Sequence, residues 1–148
     1  MSRSYGKAVI VGLLLAVSPP VDGAPKKRAD LRFRVHVEKE RRGRVHCGLY
    51  AAKSKWLSEH TYRDATARVS GPWATCIFEG VPTGHVYALT AFHDEDGDGE
   101  MDFNFIGIPE EGYAASRDAH RKRLGAPRWK DARFKHLGPT TQRAHISY

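Results

Sequence analysis

Residues 31–37 read LRFRVHV. Leu31, Phe33, Val35 and Val37 alternate with Arg32, Arg34 and His36. In a strand, a period of two sends one set of side chains to a core and the other to water. A helix would scatter both sets around its circumference. The stretch reads as a half-buried strand, and the pattern recurs downstream. After an ERRG turn (residues 40–43), RVHCGLY (44–50) places Val45, Cys47 and Leu49 on one face. ATARV (65–69) is a weaker strand and WATCIFEG (73–80) a stronger one, turned back by VPTG (81–84). HVYALTAF (85–92) is nearly continuous apolar, as a central strand is. DARFKHL (131–137) and TQRAHISY (141–148) complete the series. AAKSKWLSEH (51–60) is irregular, with Trp56 and Leu57 expected to plug the core. SRDAHRKRL (116–124) is too charged for a convincing helical stripe. The expectation is an all-β chain, a single seven-stranded antiparallel β-sandwich over residues 31–148.

Upstream the composition changes. Arg3 and Lys7 precede the apolar run AVIVGLLLAV (8–17), and SPPVDGAP (18–25) follows with a helix break and small residues. This is the layout of a secretory signal peptide, read as residues 1–23 with cleavage after Gly23 or Ala24. Ten apolar residues are too few to span a bilayer, so no membrane span is expected after cleavage. No cysteine follows the run to take a lipid anchor. Residues 24–30 form a basic lead-in. Export implies a periplasmic or secreted chain, in which the two cysteines, Cys47 and Cys76, are expected to pair. Both sit at inward positions of their strands, taken to be neighbours.

The chain carries a formal net charge of +7, yet residues 93–102 read HDEDGDGEMD. Asp94, Asp96 and Asp98 are spaced by two, Gly99 follows, and Asp102 stands ninth. These are the first nine positions of a twelve-residue calcium loop. A hard cation takes six to eight oxygens, and alternate side chains of a tight loop converge on one point. The Glu100 carbonyl falls at the backbone-ligand position, and Gly99 allows the sharp turn. The twelfth place, usually a bidentate glutamate, is Phe105, and the loop leaves a strand. Residues 93–104 are thus a calcium-type loop on a β-scaffold, with Asn104, Glu110 and Glu111 as candidates for the missing ligand. All-oxygen ligation favours Ca2+ over zinc or copper. The competing reading is a solvated acidic turn.

His93 beside these carboxylates could serve as a metal ligand or general base. A structural histidine bonding a loop carbonyl is the preferred reading, because its neighbours in sequence are acceptors. No Ser-His-Asp order, CxxC pair, HExxH, phosphate-cradling loop or nucleophile elbow is present. Basic residues gather at 117–135: Arg117, Arg121, Lys122, Arg123, Arg128, Lys130, Arg133 and Lys135 against Asp118 and Asp131. Such a segment can dock on lipid phosphate or acidic glycan, or simply be solvated. Export and the lack of an aromatic ladder argue against nucleic acid.

The run HDEDGDGEMDFNFIGIPEEGYAASRDA (93–119), the following GAPRWKDARF (125–134) and the lead-in EGVPTGHVYALTAF (79–92) resemble the bacterial domain-of-unknown-function family DUF2141. The matching positions are His93, Asp94, Asp96, Asp98, Gly99, Asp102 and Asn104. Gly107, Ile108, Pro109, Glu111 and Gly112 match the next segment, and Asp131, Ala132 and Phe134 the last. The resemblance implies an exported prealbumin-like or transthyretin-like sandwich and carries no established activity. Asp96 and Asp98 replace the family's usual asparagines, which adds charge for a cation. GAPRW replaces GPPxF. The expected role is a structural or binding module of the cell envelope, not an enzyme, partnered by an anionic envelope polymer or another envelope protein. The alternatives are a metal-dependent enzyme using His93 and loop carboxylates, and docking on anionic surfaces through residues 117–135.

Overall fold

A computed structural model describes residues 27–38, 42–122 and 125–148. The proposed signal peptide, residues 24–26 of the basic lead-in and Arg123 lie outside these residues. The chain is mostly β. Strand β1 is Arg28–His36, β2 Arg44–Tyr50, β3 Arg63–Arg68, β4 Trp73–Pro82 and β5 His85–Asp94. Short strands β6 (Tyr113–Ala115) and β7 (Phe134–His136) and a final β8 (Thr140–His145) follow. One helical turn, α1, covers Trp129–Ala132, and 3-10 turns occupy Lys53–Lys55 and Ser116–Lys122. Among the described residues, no helix is long and apolar enough to cross a membrane.

The strands form two sheets, β4-β1-β8 and β3-β2-β5-β6, with β7 paired to β5. The alternation of residues 31–37 has the expected effect. Leu31, Phe33, Val35 and Val37 are fully buried. They share one core with Val45 and Leu49 of β2, Phe78 of β4, Leu89 of β5 and Ala144 of β8. Each sheet therefore contributes its inward face to the same core.

Several expectations are corrected. There are eight strands among the described residues, not seven, because the three-residue β6 is too short to show a period. The arrangement is not wholly antiparallel: β8 runs parallel to β1, with Phe33 beside Gln142 and Val35 beside Ala144. Alternation specifies which face a residue takes but not the direction of the neighbouring strand. The first strand begins at Arg28, inside the supposed lead-in, because Arg28 and Ala29 pair with Pro82 and Val81. In DARFKHL only Phe134–His136 is strand; Asp131 and Ala132 end helix α1. Leu57 plugs nothing. It is exposed, with φ 61°. Trp56 does pack, with Trp129, against a small cluster of Ala88, Ala115, Ala119 and Ala132. Its indole N–H donates to the Pro127 carbonyl at 2.7 Å.

Cys47 and Cys76 form a disulfide with Cα atoms 6.4 Å apart. The two are not on adjacent strands of one sheet. Cys47 lies on β2 and Cys76 on β4, so the bridge crosses the core and ties the sheets together. Closing 29 residues of separation contributes about 3–4 kcal/mol in the chain-entropy model.

Candidate functional site

The acidic loop leaves the end of β5, beside the turn that enters β2. Arg44 pairs with Asp94 and Val45 with His93. The turn can approach this closely only because residue 43 is glycine. A Cβ there would lie 2.6 Å from the Asp94 carbonyl oxygen, and its φ is +83°.

His93 is fully buried. Its Nε2 lies 2.6 Å from the Arg42 carbonyl and its Nδ1 2.8 Å from the Tyr148 hydroxyl. A carbonyl only accepts, so Nε2 carries a hydrogen toward Arg42, while Nδ1 shares a hydrogen bond with Tyr148 and lies 4.0 Å from Glu95 Oε1. The ring thus spends both nitrogens joining three distant pieces of chain.

Asp94 is also buried. Its Oδ1 accepts from the Gly97 amide at 2.6 Å, and its Oδ2 lies 3.0 Å from His46 Nε2. His46 stacks on Phe92 and keeps its Nδ1 within 3.1 Å of the Thr66 hydroxyl. Burial pushes the Asp94 carboxyl upward, but bonds from Gly97, His46 and Gly99 outweigh it and hold the pKa below the ordinary aspartate value.

Beyond Asp94 the loop is exposed and folds on its own carboxylates. The Asp98 amide donates to Asp96 Oδ1 at 3.1 Å, and the Glu100 amide to Asp98 Oδ1 at 2.8 Å. Two overlapping groups of carboxylates result. Asp94, Asp96 and Glu111 offer oxygens within 4.8 Å of one another, and so do Asp96, Asp98 and Asp102. Oxygens around one calcium ion are at most about 5 Å apart, twice the ordinary bond length.

Of the three candidates for a further ligand, Glu111 joins the loop carboxylates. Asn104 is committed elsewhere: its Oδ1 accepts from the Ile106 and Ile108 amides at 3.1 and 3.0 Å. Glu110 is exposed and belongs to neither group. Glu111 is 7% exposed; its Oε1 accepts from the Glu95 amide at 3.0 Å, while its buried Oε2 has no hydrogen-bond partner. Burial is the main cause that raises its pKa. The charges of Asp94 and Asp102 add to that rise; the Glu95 amide bond opposes it, as does the nearby Asp102 amide, which makes no hydrogen bond to Oε2.

Next to the carboxylates, the chain presents a strongly apolar tip. Phe103, Phe105, Ile106 and Ile108 are all exposed, Phe105 almost completely. The turn is held by the Asn104 bonds and a bridge between Phe103 and Pro109.

The basic segment is spread over an irregular stretch. Arg128 pairs with Asp131 at 2.7 Å, and Arg117 donates to the Arg133 carbonyl at 3.1 Å. Arg121, Lys122 and Lys130 are exposed.

Sequence reasoning missed His46 and Tyr148. His46 was visible only as an outward residue of β2. Its role depends on the pairing of β2 with both β3 and β5, where Thr66 and Phe92 are its cross-strand neighbours. Tyr148 reaches His93 because the C-terminal segment bridges to β6 through Ser147 and Tyr113.

No curated protein and no solved structure matches the chain. A family model described as an uncharacterized protein conserved in bacteria matches residues 34–144, from β1 through β8 and across the whole acidic loop. The chain belongs to that family, DUF2141.

Proposed function

We propose that this protein is an exported structural or binding module of the cell envelope, built as a prealbumin-like sandwich, whose loop at residues 93–104 takes a calcium ion. The observation that carries the metal reading is Glu111. Its carboxylate is buried beside Asp94 and Asp96 with Oε2 unpartnered. A buried oxygen without a partner costs about 1–3 kcal/mol, more when charged, and a cation among these three residues removes that cost. Glu111 would then serve in place of the twelfth-position glutamate that Phe105 does not supply. The exposed apolar tip beside the loop supports the binding side of the reading, since contiguous exposed apolar surface marks contact sites.

The enzymatic alternative draws less support. His93 has both ring nitrogens engaged with Arg42 and Tyr148, which weighs against a role as general base. Docking through residues 117–135 is weakened by the local engagement of Arg117 and Arg128.

Calorimetric titration of chelated protein with calcium tests the proposal. Saturable binding at micromolar to sub-millimolar calcium is expected, the range of extracellular modules. Glu111→Gln should abolish it. No heat at millimolar calcium, together with a melting curve indifferent to chelator, refutes the metal reading.

A further inference from the structure

The outward face of the β4-β1-β8 sheet carries a second concentration of like charge, on strands outside both the acidic loop and residues 117–135. Strand pairing places it in rows. Arg34 stands beside Thr75 on one side and Arg143 on the other, and Arg32 stands beside Ile77 and Thr141. At the edge, β3 and its turn add Arg68, Thr66 and Ser70, which close the face into an open groove of about 750 Å³. Among the described residues, no carboxylate lines the groove or pairs with any of the four arginines. Like charges directly opposite each other in a sheet are destabilising. Arg34 is held in place nonetheless, its guanidinium 4.3 Å over the Trp73 ring. Such stacking fixes the fork while its N–H edge stays available.

We infer that this groove binds an acidic polysaccharide, with Arg34 near its centre and Arg143 beside it on the edge strand. Guanidinium forks match carboxylates in two-point contacts. The hydroxyls of Ser70, Thr75 and Thr141, interspersed with the cations, suit a ligand that carries many neutral hydroxyls between its anionic groups. The volume is that of a site for a small chain segment. Bases of a single strand would need open aromatic faces, and the groove's one aromatic ring is occupied by Arg34. The inference goes beyond the proposed calcium loop and stands independently of it.

The test is calorimetric titration of the purified protein with a hexamer of galacturonate, in chelator so that the calcium loop plays no part. Binding is expected at 50 mM NaCl, with at least tenfold loss by 0.3 M salt, as screening shortens to about 6 Å. R34Q/R143Q should weaken binding at least tenfold, and the methyl-esterified hexamer should not bind. R121A/K122A, in the other basic segment, should change affinity less than twofold. If R34Q/R143Q fails to fold by circular dichroism, R32Q/R68Q in the same groove should give the loss. No binding at low salt, equal weakening by groove and control variants, equal binding of the ester, or tighter binding of a single-stranded DNA of equal charge would each overturn the inference.

Discussion

The two ends of the charge distribution are built in opposite ways. The acidic loop draws its carboxylates inward: Asp94 and Glu111 are buried, and backbone amides of Gly97, Asp98, Glu100 and Glu95 point at the cluster. The arginine face leaves Arg32, Arg68 and Arg143 in solvent, on a rigid sheet that needs none of them for its core. Burial, more than the number of like charges, decides what each cluster demands. Asp94 is satisfied by its own hydrogen bonds, whereas the unpartnered Glu111 oxygen would gain from a counter-ion, so an ion bound there would change stability. Solvated arginines repel one another only weakly, so a ligand there changes occupancy and little else.

Both regions hang on one framework, and the largest expected effect comes from cutting it. The Cys47–Cys76 bridge ties the sheet bearing the arginine face to the sheet that leads into the loop. Cys47→Ala with Cys76→Ala should cost about 3–4 kcal/mol in denaturant unfolding. Loss of one region's signal before the other's would break the picture of a shared core.

Calcium should come next. An ion bound only to the folded state, at 100 times its dissociation constant, adds about 2.7 kcal/mol. For a domain of this size that is a rise in Tm on the order of 5–15 °C in differential scanning calorimetry. Asp96→Ala should remove the rise, because Asp96 belongs to both carboxylate groups. A response that survives this change places the ion elsewhere.

Glu111→Gln sharpens the contrast further. It should abolish the calcium response and yet raise the stability of the calcium-free protein at neutral pH by about 1 kcal/mol, because it removes a buried charge with an unpartnered oxygen. The two carboxyls also predict opposite pH behaviour. Asp94 is held below its ordinary value, so its contribution is present above the ordinary aspartate pKa and is lost as pH falls through the lowered one. Glu111 is raised, so its ionisation costs stability above the ordinary glutamate range. In the proposed site, calcium would require Glu111 ionised. Affinity should therefore weaken as pH falls through its raised pKa, and calcium uptake there should release a proton, measurable by titration in two buffers of different ionisation enthalpy.

The smallest effect belongs to the arginine face. Arg34→Gln with Arg143→Gln relieves a repulsive cross-strand pair but gives up the Arg34–Trp73 stacking, so stability should change by less than about 1 kcal/mol. A clear destabilisation would mean that these side chains hold the sheet and are not free for a ligand.

The sequence by itself determined the class of fold, most of the core and the existence of an acidic loop. Alternation is local, so Leu31, Phe33, Val35 and Val37 could be assigned inward from seven residues, and the spacing of Asp94, Asp96 and Asp98 is legible within five. Only the tertiary structure decided who meets whom. The parallel pairing of β8 with β1, the disulfide running between sheets, the choice of Glu111 over Asn104 and Glu110, and the rows of Arg32, Arg34 and Arg143 all depend on strand order and register. A strand's period records which face a residue takes. It holds no record of which distant strand will lie beside it, because that choice is made by the summed packing of the whole core.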